Sequence, residues 1–582
     1  MLDNAHAAQE PIWIYPKDDP QWKEAIIKEF KINSVIAQIL VSRGFTTLEE
    51  IHDYLYAKLP DLCDPFLLSE MQIAVDRVCK AIVDGETILI YGDNDVDGMT
   101  GTALLTEFFQ DLGTPVLFYV SNPGTPRDRL IVEALEYALQ NQCKLLITVD
   151  CGITAALEIA KVVAEHVDVI ITDHHEPTDK IPHCIATLNP KLVNSAYPNR
   201  ELTGVGVAFK LAHAITNHLV AEGKIPPKKI DLKRYLDLVA LGTVADMGAL
   251  LGENRILVRY GLRQLRKTKR IGLLKLVSVC DVDPNSISTF IIASKIAPRL
   301  NSLGRINEPK KGVQLLLVRN SATAEKLAIE LDLNNIERQK IERTMSVDVD
   351  NIINAHPEIL KHKAIIMHSD RWHPGVIAIL STRFAKHYNR PTVMMSVENG
   401  IGKGSLRSIP EFRLLPVLKE CSELLMNFGG HDFAAGLTIK EENIEAFRLK
   451  FIQIAETTLS DSDVRTKLPL DAAIRFDELT FDFMESMRLL EPYGNENPQP
   501  ILYCEAKQAW PPKILSKMHL KLYLEQDDEN EGRILEGVAF GKARQSVFLR
   551  KKDLALRVAF TPQIDTHQGS SIQLMIRNFM IL

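Results

Sequence analysis

Thr87-Ile88-Leu89-Ile90-Tyr91-Gly92-Asp93-Asn94-Asp95-Val96-Asp97-Gly98 decides the reading of this chain. A short apolar run stops abruptly in three alternating aspartates. Three carboxylates within five residues repel one another unless something positive sits between them. Gly98 and a helix-like stretch, 100–112, come next, so the aspartates lie in the turn from a strand to a helix. Alternation along an extended turn is expected to aim the three side chains similarly. The reading is a divalent-metal site.

The same pattern continues to about residue 250. Residues 116–120 and 145–149 read as strands, 155–165 as a helix and 167–172 as another strand. Such βαβα alternation, with short runs apolar on both faces, indicates a parallel sheet covered by helices. Ligands of such sheets bind beyond the carboxyl ends of the strands. There 88–91 runs into Asp93, Asp95 and Asp97, and 145–149 into Asp150. Likewise 169–172 runs into Asp173-His174-His175, and 238–245, with strand and helix both open, runs into Asp246. Four apolar segments are thus expected to deliver metal-ligand residue types to one edge of one sheet. A single aspartate at a strand end is as readily a turn former or helix cap. That accounts poorly for three in one turn, and worse for two adjacent histidines in another.

The ligand chemistry narrows the ion. Carboxylates with one or two imidazoles and no thiolate suit Mg²⁺ or Mn²⁺. Five or more ligands exceed what one ion needs. Two ions about 3.5–4 Å apart form the usual clamp for in-line displacement at phosphorus. From the residues alone, the chain is a two-metal phosphoesterase.

Composition is compatible with this. At 582 residues, 46% hydrophobic and 25% charged, the chain reads as an ordinary globular protein of three or four domains. The net charge of -7 excludes a globally basic nucleic-acid binder but not a local basic surface. Residues 1–20 lack the basic start and apolar middle of a signal peptide, and no apolar run is long enough to cross a bilayer. The eight scattered cysteines form no close pair, which points to reduced, buried thiols and a cytoplasmic setting.

Four segments now become recognisable. Tyr-Gly-Asp-Asn-Asp-Val-Asp-Gly (91–98), Val-Asp-Cys-Gly-Ile-Thr (149–154), Thr-Asp-His-His-Glu (172–176) and Ala-Leu-Gly-Thr-Val-Ala-Asp (240–246) resemble the motifs of the DHH phosphoesterase superfamily. Its naming triplet is here Asp173-His174-His175. Within it, the chain is most similar to the bacterial exonucleases specific for single-stranded DNA. The stretches that carry this are 251–255, 296–301 with Gly304-Arg305, 372–375, 404–408, 428–431 and 434–437. The resemblance implies Asp95, Asp97, Asp150, His174 and Asp246 as ligands of two divalent cations, Mn²⁺ or Mg²⁺, with Asp150 bridging. Asp93 and His175 match motif residues that support the site, and are given catalytic roles. Arg299, Asn301, His373, Ser405, Arg407, Gly429, Gly430 and His431 are implied to hold substrate. One departure lies in 121–129, Ser-Asn-Pro-Gly-Thr-Pro-Arg-Asp-Arg. The arginine the family carries near 123 is a proline and its Gly-Tyr-Gly is missing, leaving Arg127 or Arg129 as replacements.

The expected architecture is α/β. A helical region (1–84) precedes a parallel-sheet DHH domain (85–250). A helical connector (251–355) with a long helix at 325–347 and a basic cluster at Arg263, Arg266, Lys267, Lys269 and Arg270 leads to a second α/β, DHH-associated domain (356–460). By resemblance this lobe faces the metal site across a cleft. Its Gly402-Lys-Gly-Ser-Leu-Arg407 and Gly429-Gly430-His431 read as loops where backbone amides approach a phosphate. Short strands between 461 and 582 read as an OB-like barrel, with Trp510, Tyr523, Phe540, Lys513, Lys517 and Lys521 available for a single strand.

The resulting expectation is a 5′→3′ exonuclease that degrades single-stranded DNA to 5′-mononucleotides in repair and recombination. It is expected to act as a cytoplasmic monomer, supplied by a single-strand-binding protein and a helicase. A hydrolase of short oligoribonucleotides or cyclic dinucleotides is the alternative, but it needs neither the barrel nor the long connector. A non-catalytic scaffold has no reason to keep so many uncompensated carboxylates together.

Overall fold

The computed structural model describes residues 10–121, 127–306, 308–526, 533–549, 554–565 and 570–582, save the side chains of 127–130 and 304–306. Pro123 and its neighbours, where the arginine is missing, lie outside the described residues, as do the side chains of Arg127, Arg129 and Arg305. The chain forms two compact units: residues 47–335 with 488–499, and residues 1–46 with 336–487 and 500–582.

The first unit is built on a five-stranded sheet, ordered Val116–Val120, Ile88–Gly92, Leu145–Val149, Asp168–Thr172, Ala186–Leu188, with every neighbouring pair parallel. Ile88–Gly92 and Leu145–Val149 are buried at every position, as their predominantly apolar character favours. One sheet face packs Leu89, Tyr91 and Leu146 against Ile131, Ala134, Ile159 and Val162. The other packs Ile88, Ile90 and Ile147 against the helices Val96–Leu112 and Gly204–Ala221. Chain direction across the sheet reverses between Ile88–Gly92 and Leu145–Val149. Their carboxyl ends therefore flank the switch point where such sheets bind ligands. Asp93 and Asp150 are the next residues after those two strands.

The fourth apolar segment is a helix, Leu236–Ala245, and not a strand of this sheet. Every residue from Leu236 to Val244 is buried, so the helix has no polar face and its sequence shows no 3.6-residue period. It packs on Val96–Leu112 and brings Asp246 to the sheet edge from its own C-terminus. Of the basic cluster after it, Arg270 is spent internally: it pairs with Asp237 at 3.0 Å and with Glu107 at 2.5 Å.

The second unit holds a mixed sheet ordered Leu425–Gly430, Ala434–Lys440, Ile401–Arg407, Thr392–Glu398, Ile365–Ser369. Both glycine stretches read as loops are strands within it. Glycine is required there by crowding: a Cβ on Gly404 would lie 2.8 Å from Leu437 Cδ1, and one on Gly430 2.5 Å from Ala434 O. The helix Ser321–Ala355 spans 35 residues, roughly 50 Å, and the division between the units falls within it. Leu502–Leu515, His519–Gln526, Arg533–Ala539, Ser571–Ile581 and Ala555–Asp565 pair in that order, and Ala555–Asp565 pairs back to Leu502–Leu515, closing a five-stranded barrel. A strand absent from the sequence reading, Ile12–Ile14, pairs in parallel with Lys467–Pro469.

Candidate metal centre

Asp97 sits in the first turn of Val96–Leu112 and is fully buried. Its Oδ2 accepts a hydrogen bond from the Gly204 amide at 2.6 Å and its Oδ1 one from the Val205 amide at 3.0 Å. The start of the helix Gly204–Ala221 thus points two backbone donors at one carboxylate, a favourable pairing of an anion with a helix N-terminus. Asp95 caps the Val96–Leu112 helix, accepting from Gly98 N at 3.1 Å, while Asn301 Oδ1 accepts from Val96 N at 3.2 Å. The three aspartates are therefore not displayed along an extended turn. Asp95 is an N-cap and Asp97 is already helical, because Gly98 lets the chain fold back on Asp93, whose O would lie 2.5 Å from a Cβ there.

Asp150 is a buried aspartate in the left-handed region, with φ of 63°. A strained non-glycine residue at a strand end, its own amide bonded to Thr172 O at 2.8 Å, is held by its surroundings rather than by preference. Its Oδ1 is buried, accepts no hydrogen bond among the described residues, and lies 3.0 Å from His174 Nε2. That nitrogen is 3.6 Å from Asp246 Oδ2 and 4.0 Å from Asp97 Oδ2. Three overlapping groups, Asp150-His174-His175, Asp97-His174-Asp246 and Asp93-Asp95-Asp150, each keep their donor atoms within 4.8 Å of one another. Asp150 and His174 each belong to two of them.

The electrostatics agree. Burial, then repulsion from Asp246 and Asp95, pushes Asp97 well above the usual carboxylate range. Burial and the neighbouring Asp97 and Asp95 do the same to Asp150. Burial followed by Asp95 raises Asp93 to about 6 and Asp246 to about 7. Buried carboxylates that cannot all stay ionised by themselves, one with an oxygen lacking any donor, fit a site for divalent cations.

Asp173, read from the sequence among the metal-ligand residue types at this edge, behaves oppositely. Burial acts to raise it, but the hydrogen bond and charge of His175 prevail and hold it below the usual range. Its Oδ1 accepts from the His174 amide at 2.7 Å, the His175 amide at 3.1 Å and His175 Nδ1 at 2.8 Å, and its Oδ2 from Ile153 N at 2.9 Å. Its carboxylate is thus taken up by the two histidines and Ile153. Against the effect of its burial, Asp173 raises His175 to about 9.

A family model described as DHH family, N-terminal domain matches residues 87–243. One described as DHHA1 domain matches 361–457, and one described as RecJ OB domain matches 470–578. The single-stranded-DNA-specific exonuclease RecJ of Escherichia coli (strain K12) is 30% identical over 558 residues, covering 94% of this chain and 95% of the relative. This chain belongs to the RecJ family. RecJ of Bacillus subtilis (strain 168) is 35% identical over 91% of the chain and 67% of the relative. A crystal structure of RecJ from Thermus thermophilus in complex with Mn²⁺ superposes with a TM-score of 0.81 at 28% identity, covering 98% of this chain and 79% of that one.

The remaining RecJ-like positions divide between the units. In the first, Asn301 reaches the aspartate turn, whereas Arg299 is engaged in an ion pair with Asp332 at 2.8 Å and donates to Lys295 O at 2.6 Å. In the second, strand register sets Gly429 opposite Gly436 and Gly436 opposite Ser405. Arg407 Nη1 donates to Ser405 Oγ at 3.4 Å, and Ser381, a buried residue the sequence reading missed, donates to the same oxygen at 3.3 Å. His431 follows Gly430 at the end of this hairpin, its amide donating to Ala434 O at 2.8 Å, and His373 Nδ1 accepts from Gly375 N at 3.1 Å. In the barrel, Trp510 and Phe540 are exposed, while Tyr523 is buried beneath Lys513 and Lys521.

Proposed function

We propose that this chain is a divalent-metal-dependent exonuclease that degrades single-stranded DNA from the 5′ end to 5′-mononucleotides, in DNA repair and recombination. The observation that carries the reading is the meeting of Asp97, Asp150, His174 and Asp246 at the switch point of the sheet in a RecJ-family chain. Asp95, Asp97, Asp150, His174 and Asp246 would hold two Mn²⁺ or Mg²⁺ ions, with Asp150 shared and Asp93 in support. When bound, such ions supply an activated water and neutralise charge on the phosphate. The chain's own part is to fix the ligands through the Gly204 and Val205 amides and to keep a proton on His175. With Nδ1 turned to Asp173, His175 has Nε2–H free to meet a phosphate oxygen.

Ser405, Arg407, Gly429, Gly430, His431 and His373, with Asn301 and Arg299, are the residues we assign to holding the strand, the last only after exchanging its Asp332 partner. Trp510 and Phe540 with Lys513 and Lys517 suit stacking and phosphate contact on the barrel; buried Tyr523 does not. The chemistry is thereby placed in 85–250, gripping in 356–460 and strand capture in 461–582, with 1–84 and 251–355 as packing and connection. A cytoplasmic monomer fed by a single-strand-binding protein and a helicase completes the reading. All eight cysteines are free, and among the described residues no helix is long and apolar enough to cross a membrane.

Digestion of single strands labelled at either end, with Mg²⁺ or Mn²⁺, tests the assignment. Labelled mononucleotide is expected first from the 5′-labelled strand. Earlier release from the 3′ label would refute the polarity, and resistance of long strands alongside rapid cleavage of a dinucleotide would refute the substrate. Strand affinity is expected to fall steeply with salt, as phosphate contacts require; a flat dependence would remove the proposed strand contacts.

The packing of Asp150 gives a further expectation. A Cβ on Gly204 would lie 2.5 Å from Asp150 Cβ and 2.6 Å from its Oδ1. Gly204→Ala is therefore expected to cost about 1–3 kcal/mol of stability by overpacking. It should also weaken Mn²⁺ binding about 10–100-fold by displacing a ligand. Urea unfolding and calorimetry read the two effects, and a variant that matches the parent in both would contradict the placement of Asp150.

A further inference from the structure

A segment from late in the chain, Arg488 to Gln499, belongs to the unit that carries the aspartates. Arg255, buried in Gly252–Leu265, donates to Leu490 O at 3.1 Å and Leu489 O at 2.9 Å. Arg259 donates to Glu491 O at 3.2 Å and Thr289 Oγ1 to Tyr493 O at 2.6 Å. Buried Asn497 donates to Leu490 O and Pro492 O at 2.9 and 2.7 Å and accepts from Tyr54 OH at 2.8 Å. Within this frame Gly494 and Asn497 bond reciprocally, at 2.8 and 3.3 Å, closing a tight turn with Asn495 at its tip.

Asn495 meets the chain just beyond Asp246. Its Nδ2 donates to Met247 O at 2.7 Å and its own carbonyl accepts from Leu250 N at 3.0 Å. Gly494 is pressed against the same turn, since a Cβ there would lie 2.5 Å from Leu250 Cδ1. The turn needs support. Helix Leu236–Ala245 ends with Met247 N bonded to Val244 O at 3.3 Å and Gly248 N to Thr243 O at 2.9 Å. That is the Schellman pattern, which places its left-handed residue one beyond the C-cap and ordinarily uses glycine. Here that residue is Met247, with φ of 58°, a conformation that costs free energy for any side chain with a Cβ. Asp246 is the C-cap itself, so its carboxylate direction depends on the turn staying closed.

We propose that Asn495 is a positioning residue for Asp246: its amide and carbonyl clamp the Met247–Leu250 turn and so fix the direction of one carboxylate of the metal centre. This rests on the assignment of Asp246 as a ligand. Residues that orient a metal ligand typically contribute about 10–100-fold in affinity, which sets the expected size. The chain near residue 495 is thereby a part of the metal centre, although it lies about 250 positions from Asp246.

Asn495→Asp keeps the side chain's size but replaces the donor by an acceptor facing Met247 O. Calorimetric titration of the full chain with Mn²⁺, without DNA, is expected to show one ion bound about tenfold more weakly, at a temperature where the variant is fully folded. Adding Met247→Gly, which removes the cost of the left-handed turn, is expected to restore most of that affinity. Asn495→Asp with unaltered Mn²⁺ affinity but a lower melting temperature would overturn the proposal, because the segment would then be only a structural brace. Failure of Met247→Gly to restore binding would also overturn it. The parallel variant Asp246→Ala separates the two levels. If it loses an ion while Asn495→Asp does not, only this inference fails; if it binds both ions like the parent, the ligand assignment fails as well.

Discussion

Asp150→Ala is expected to abolish hydrolysis, by at least about a thousandfold, while leaving the affinity for single-stranded DNA within a few-fold of the parent. The size follows from what a shared ligand does. Asp150 is the carboxylate common to the Asp93-Asp95 and His174-His175 groups, so its loss removes a donor from both. Metal stabilisation of phosphoryl charge is worth several kcal/mol, and each 1.4 kcal/mol is about tenfold in rate. The strand contacts we assign to Ser405, Arg407, Trp510 and Phe540 are made elsewhere in the chain and do not involve Asp150. Single-turnover digestion with saturating Mn²⁺, beside a filter-binding isotherm on the same preparation, separates the two. Substantial Mn²⁺-dependent turnover would sink the bridging assignment, and equal loss of binding would show that the variant had failed to fold. Asp150→Asn is a useful companion, since it keeps the left-handed backbone residue and loses only the charge.

Part of this site was legible because strand ends in a parallel sheet declare themselves. Ile88–Gly92 and Leu145–Val149 are predominantly apolar, buried at every position and stop at aspartates, and the switch point follows from strand order. The helix Leu236–Ala245 was not distinguishable from a strand, since burial on all sides erases the periodicity that reveals a helix. Gly402 and Gly404 were read as loop residues by their type, yet they sit in a strand because Leu437 and Ile439 leave no room for a side chain. The supports of the carboxylates were hardest to see. The Gly204 and Val205 amides that hold Asp97 are backbone groups, and every residue but proline has one. Asn495 could be joined to Asp246 only by folding, because no local spacing relates the two.

The second large effect concerns the framework behind the metal centre. Lys210→Met is expected to destabilise the unit that carries the aspartates by about 3–5 kcal/mol, the cost of leaving a buried charge without its partner. Lys210 and Glu253 have side chains only 0% and 3% exposed, and Nζ donates to Oε1 at 2.6 Å. Nζ also donates to Cys63 O at 2.8 Å, and Glu253 Oε1 accepts from Cys63 N at 2.8 Å. Tyr197 OH donates to the other carboxylate oxygen. The pair thus joins the helix whose first amides hold Asp97 to the helix that follows Asp246, with the chain around Cys63 as the third member. Removing the lysine leaves Glu253 buried and ionised with two neutral donors, whereas Lys210→Met with Glu253→Gln leaves no charge at all. The double variant is therefore expected to be more stable than Lys210→Met alone, although it has lost more polar contacts. Urea unfolding of the parent, both single variants and the double variant closes the cycle. A cost below about 1 kcal/mol for Lys210→Met would mean that water reaches Glu253 and the pair is no framework. The metal centre should follow stability here only indirectly: at temperatures where Lys210→Met is folded, Mn²⁺ affinity is expected to stay near that of the parent, in contrast to Asp150→Ala.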